Sequence, residues 1–198
     1  MFLGFCKKNH RGQGLLETVI ALGILITGLF SVFSLAISNF TSQQAGLLRV
    51  QALNLAREGV EAVRNTRDSN WLAGQPTWQD ILVNDQVIRV QLIFDPADGS
   101  KQFYFDGINN LAQTPVYFKN GLFLQGQEAQ DNGQATPFHR MITITPLKCS
   151  EDADITPDKC LNLGLPNVIG VEVKSQVGWS SRGGQSELTL TEKFYDWK

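Results

Sequence analysis

The chain has 198 residues, 42% of them hydrophobic and 18% charged. That balance suits one globular domain with an appendage and excludes both a disordered chain and a large multidomain enzyme. The formal net charge of −2 supplies no basic surplus for a polyphosphate, so nucleic acid is not an expected partner.

Clustered basicity is confined to Lys7, Lys8 and Arg11, in the stretch "KKNHRGQGLLETVIALGILITG" at residues 7 to 28. Behind it, residues 15 to 37 are almost all apolar or small, about the length of a helix that crosses a bilayer core. No charge occurs from Thr18 to Leu48, but Glu17 stands in the first turn of the apolar run. A carboxylate near the middle of a membrane helix costs about 2.5 to 3.5 kcal/mol, and less at its edge. Gly23, Thr27, Gly28, Ser31 and Ser34 fall at helical spacings, where small residues permit close helix packing or are incidental.

The helical pattern continues beyond Ile37. No proline occurs between Asn39 and Arg64, and Leu47, Val50, Leu53, Leu55, Val60 and Val63 recur mostly at three- and four-residue steps, which predicts one continuous helix with an amphipathic second half. Its end is expected near residue 65, at "NTRDSN". Arg57, Glu58, Glu61, Arg64, Arg67 and Asp68 are spaced for intrahelical ion pairs on a solvated face. The alternative is charge matching between subunits.

From Val83 onward, short runs rich in Val, Ile, Phe and Tyr alternate with Gly, Pro, Asn and Asp. They are "QVIRVQLIF", "KQFYF", "PVYFKNGLFLQG", "FHRMITITPL", "VIGVEVKSQVGW" and "SELTLTEKFYDW". Such runs predict six antiparallel strands, with turns at "DPADGSK" and "SSRGGQ". The fold class is therefore α+β: a long N-terminal helix over residues 13–65, packed on a β-rich head over residues 66–198. Trp71, Trp78, Trp179 and Trp197 are read as core packing.

Cys149 and Cys160 bracket ten residues, a loop in which a disulfide could contribute about 3 kcal/mol on the chain-entropy model, given an oxidising compartment. Two unpaired thiols are the alternative, and two cysteines without a neighbouring histidine fall short of a zinc site. Glu151, Asp152, Asp154 and Asp158 lie between them without the alternate-position spacing of an EF-hand, so a solvated loop is preferred to calcium. His10 and His139 have no nucleophile or metal partner in the sequence, and no GxSxG, HExxH or P-loop occurs. No enzyme, metal or cofactor is expected.

A cleaved secretory signal, with "SLA" at residues 34 to 36 as its processing site, meets the difficulty that the helix runs straight through that point. An uncleaved anchor oriented by Lys7, Lys8 and Arg11 is physically adequate, but neither reading uses Glu17. The stretch "RGQGLLETVIALGIL" resembles the class III signal of type IV pilins and of type II secretion pseudopilins. In that family a basic leader ends in glycine, and the fifth residue of the mature chain is glutamate. The resemblance implies a leader over residues 1–12, cleavage after Gly12 by a prepilin peptidase, and a new N-terminus at Gln13 within an N-terminal methylation motif. It also makes Glu17 the assembly residue, partnered by the amine of a neighbouring subunit.

Gln13 stands where the family commonly has phenylalanine, and "GQGLLE" is similar to minor pilins and pseudopilins more than to major pilins. The implied function is a structural filament subunit. Its partners would be other pilin subunits, an inner-membrane assembly platform and, before assembly, membrane lipid. The implied location is a single pass through the cytoplasmic membrane with an extracytoplasmic head, then an extracellular or periplasmic filament. The alternative is a bitopic anchored protein whose head binds an extracytoplasmic component.

Overall fold

The computed structural model describes residues 13–78, 81–82, 86–94, 101–104, 108–149, 168–181 and 184–195. It divides into two compact units, Met1–Gly46 and Leu47–Lys198. The fold is α+β. Helix α1 spans Gln13–Leu72, and its portion from Leu48 onward packs on one face of an antiparallel sheet.

The helix runs seven residues past the end expected from "NTRDSN". Its stop is a backbone motif: Gly74 has a φ of 67°, Gln75 N–H donates to Asn70 O at 2.9 Å and Gly74 N–H to Trp71 O at 3.1 Å. These two bonds satisfy carbonyls that the last turn leaves open, and glycine takes the left-handed conformation without a Cβ penalty. Pro76 follows two residues later.

Seven strands occur among the described residues: β1 Ile88–Phe94, β2 Lys101–Tyr104, β3 Pro115–Lys119, β4 Leu122–Leu124, β5 Gln134–Lys148, β6 Val168–Ser181 and β7 Gly184–Tyr195. The expected six became seven because "PVYFKNGLFLQG" folds on itself. Asn120 and Gly121 both have positive φ, 52° and 85°, as a two-residue turn between antiparallel strands requires, and Tyr117 pairs with Leu124 across it. The short helix α2, Gln127–Asn132, joins β4 to β5. Ser181 pairs with Gly184 and Phe94 with Lys101, while residues 182–183 and 95–100, on which the expected turns fall, lie outside the described residues.

β5 organises the sheet. One edge pairs along its length with β6, which pairs in turn with β7. The other edge is shared: β3 takes the Gln134–His139 half and β1 takes Ile142–Ile144. Two prolines sit in this central strand, each where a missing N–H is tolerated. Opposite Pro137 the β3 register shifts, and the Thr136 hydroxyl donates to Val116 O. Pro146 lies beyond Ile144, where β1 pairing has ended.

Alternation then decides the core. Phe138, Ile142 and Ile144 of β5, Val171, Val173 and Val177 of β6, and Phe194 of β7 are buried on the helix side. The helix meets them through Ala52, Leu55, Ala56, Val60, Ala62 and Val63. Leu47 and Val50, expected on the packing face, are 66% and 57% exposed. Leu55, Val60 and Val63, also expected there, are buried, and beside them the contact is made by alanines and by Gly59, where an added Cβ would stand 2.6 Å from Ser175 Oγ and 3.1 Å from Ile142. Small residues set a close helix-to-sheet distance, and the larger Leu47 and Val50 face away from it. Of the four tryptophans, Trp179 is buried, Trp78 packs on the core edge, and Trp71 is 60% exposed, against expectation. Trp197 lies outside the described residues.

Candidate functional site

The apolar portion of α1 is the sequence's strongest functional signal. Among the described residues it belongs to the one helix long and apolar enough to cross a membrane. Leu15, Leu16, Val19, Ile20, Leu22, Ile24 and the large apolar residues after them as far as Phe40 are exposed, without cover among the described residues. Four of its hydroxyls are internally satisfied: Thr18 donates to Leu15 O, Thr27 to Ile24 O, Ser31 to Thr27 O, and Thr41 to Ile37 O and Ser38 O, at 2.8 to 3.1 Å. A hydroxyl bonded back to its own helix loses little in hydrocarbon, since no donor is left unpaired.

Glu17 has no such local solution. It is exposed on α1 beside Leu16, Ile20, Ala21 and Ile24, and among the described residues no ion pair or hydrogen bond reaches its carboxylate. Residue 13, where α1 begins, lies one turn earlier on the same face by helical geometry. Gly12 and the remainder of the expected leader lie outside the described residues. The arrangement presents one anionic group on an otherwise apolar cylinder, and in a medium of low dielectric such a group needs a cation from outside the helix.

Several charges at the other end of α1 are committed within the head. Arg64 bonds Glu61 at 2.6 Å and also bonds Glu192 of β7. Arg64 and Arg67 lie over the Phe194 ring at 5.3 and 5.0 Å, and Arg67 bonds Asp68 at 2.7 Å. For the Arg64 guanidinium, burial opposes the charge, but the carboxylates of Glu192 and Glu61 outweigh it and hold the group above its usual value.

Glu58 turns inward. Arg140 of β5, 1% exposed, donates to Glu58 Oε2 at 2.7 Å and to Leu55 O at 3.4 Å from Nη1, and to Gln125 Oε1 at 2.9 Å from Nε. Gln125 also accepts from Leu92 N–H and donates to the carbonyls of Thr114 and Arg140. One amide thereby closes the fork where β1 and β3 diverge from β5. Burial pushes the Arg140 guanidinium below its usual value, against the pull of Glu58. Arg140 was legible by parity, since it shares the inward register of Phe138, Ile142 and Ile144, where a cation must find an acid. It was not singled out.

Cys149 is buried and disulfide-bonded. Cys160, its expected partner, lies outside the described residues, as do Glu151, Asp152, Asp154 and Asp158. His139 is half-buried in β5 between Pro115 and Gly178. Among the described residues no three metal-binding side chains cluster. No protein-family model, curated protein or solved structure matches this chain.

Proposed function

We propose that the protein is a structural subunit of a pilin-type filament, a minor pilin or pseudopilin. In this reading it is inserted in the cytoplasmic membrane as a precursor, processed after Gly12 by a prepilin peptidase, and assembled through the apolar half of α1. The observation that carries the reading is Glu17, the one charged side chain from Gly14 to Leu48, with no partner among the described residues. Processing would free the amine of Gln13, a cation with an ordinary pKa near 7.7 to 8.0. A neighbouring subunit's amine then meets Glu17, and their pairing sets the axial register of the filament. The head, with its own core, faces outward, and lipid covers the apolar helix until assembly.

The test is Glu17→Leu, expressed beside the assembly machinery. Mass spectrometry should find both the parent and the variant beginning at Gln13, and both in the membrane fraction. The variant should be missing from the sheared filament fraction. A variant that enters filaments normally removes Glu17 from the mechanism. A parent chain still beginning at Met1 favours the uncleaved anchored protein instead.

A further inference from the structure

The outer edge of β7 is a second surface, unrelated to the apolar helix. Among the described strands β7 pairs with β6 alone, through an unbroken register from Gly170↔Tyr195 to Ser181↔Gly184. Sheet edges are commonly protected by brevity, proline, bulges or charge. The segment 185–195, "QSELTLTEKFY", has no proline, glycine or bulge, and its charges are arranged to complement one another. On the solvent face Gln185, Glu187, Thr189, Thr191 and Lys193 are exposed, while Ser186, Leu188, Leu190, Glu192 and Phe194 turn toward the helix.

We propose that β7 pairs antiparallel with β7 of a second copy of this chain, about a two-fold axis through Leu190. Alternate residues of a strand direct their backbone groups to the same edge, so only registers that oppose odd with odd and even with even can bond. The register centred on Leu190 places Glu187 opposite the second copy's Lys193, and by symmetry does so twice. It also sets Thr189 against Thr191. Centring on Thr189 or Thr191 leaves both charges opposite uncharged residues, and centring on Glu187 or Glu192 stacks a carboxylate on itself. Leu190 meets its own copy on the helix side, and Glu192, opposite Leu188, is already bonded to Arg64. Such a contact is isologous and closed, as two-fold interfaces are.

The fold fixes what the contact can join. Within the head, α1 advances along β7: Leu48 and Leu188 belong to one core cluster, and Arg64 and Arg67 reach Phe194. A two-fold axis normal to the sheet reverses that direction, so the paired heads carry oppositely directed helices. The pairing therefore joins copies whose helix portions within the head run antiparallel, and excludes copies whose head helices run side by side in the same direction. It stands independently of the filament reading.

Sedimentation of the full chain in density-matched detergent tests it. A reversible dimer is expected at about 10–100 µM, the range of a small interface. Glu187→Lys and Lys193→Glu each create two like-charge pairs and should raise Kd on the order of tenfold, and the double variant E187K/K193E should restore it. Oxidation of a mixture of T189C and T191C chains should yield the mixed cross-link in excess of either same-position product, with the parent chain as control for the native cysteines. A chain that stays monomeric, a dimer indifferent to the single reversals, a double variant no better than the singles, or dominant same-position cross-links would each overturn the proposal.

Discussion

Position 59 holds a glycine in the middle of a helix, a choice that costs about 1 kcal/mol of helix propensity against alanine. The compensation is contact, because a Cβ there would stand 2.6 Å from Ser175 Oγ. Gly59→Ala should therefore destabilise the head by about 1 kcal/mol net, with overpacking outweighing propensity. Ser175 Oγ is buried and finds no hydrogen-bond partner among the described residues, so Ser175→Ala should be neutral or stabilising. The double variant G59A/S175A should recover most of the loss, a coupling of about 1 kcal/mol readable by urea unfolding of the four chains. Arg140 offers a sharper contrast. Removing Glu58 leaves a buried guanidinium short of its anion, and Glu58→Ala should cost about 2 kcal/mol, below the full range for buried pairs because water reaches the carboxylate. Glu61→Ala, which removes an exposed pair, should stay within about 0.5 kcal/mol in the same assay. Neither arginine shift makes stability vary near neutrality. The raised Arg64 value contributes stability lost only as pH climbs through the arginine range. The lowered Arg140 value is a constant cost relieved only there.

Among the elements, the β3–β4 hairpin depends most visibly on two residues. Gly121 holds a φ of 85°, a conformation that costs other L residues about 1 to 2 kcal/mol. Gly121→Ala should lose roughly that amount, whereas Asn120→Gly should cost only a few tenths, both measured as shifts in the urea midpoint. The same turn marks the limit of what the strand pattern conveyed. Runs rich in Val, Ile, Phe and Tyr between turn residues marked the strand regions, several with clear alternation, but "PVYFKNGLFLQG" reads as one run unless its Asn-Gly pair is weighed as a hairpin signal. The helix end eluded the polar run "NTRDSN" for a different reason. Arg64 and Arg67 are taken up by Glu192 and Phe194, partners distant in sequence, so polarity there does not mean a loop. The packing face was misassigned at Leu47 and Val50 because size stood in for burial, whereas Ala52, Ala56 and Gly59 carry the close approach. Glu17 was fully legible, since a lone charge in an apolar run needs no tertiary information. What pairs with it was not, because no residue described in this chain does.

At the scale of the molecule, the two units divide the physical roles. All the core residues that are buried lie at or after Ala52, inside the unit Leu47–Lys198. The apolar residues from Leu15 to Phe40 remain exposed, and so add nothing to the stability of the head through burial within one chain. A chain beginning at Leu47 should therefore fold. Its new helix terminus frays through the first turn, where backbone donors lose their intrahelical setting, and Leu48, half-buried against the second core cluster, loses part of its contact. A cost of about 1 kcal/mol follows, small beside the 5 to 15 kcal/mol that holds a domain together. The truncated chain should keep the near-ultraviolet circular dichroism of buried Trp179 and unfold in one cooperative urea transition, while leaving the membrane fraction on carbonate extraction. Loss of the near-ultraviolet signal would mean that the apolar half also holds the head in shape, and the division of labour along α1 would have to be redrawn.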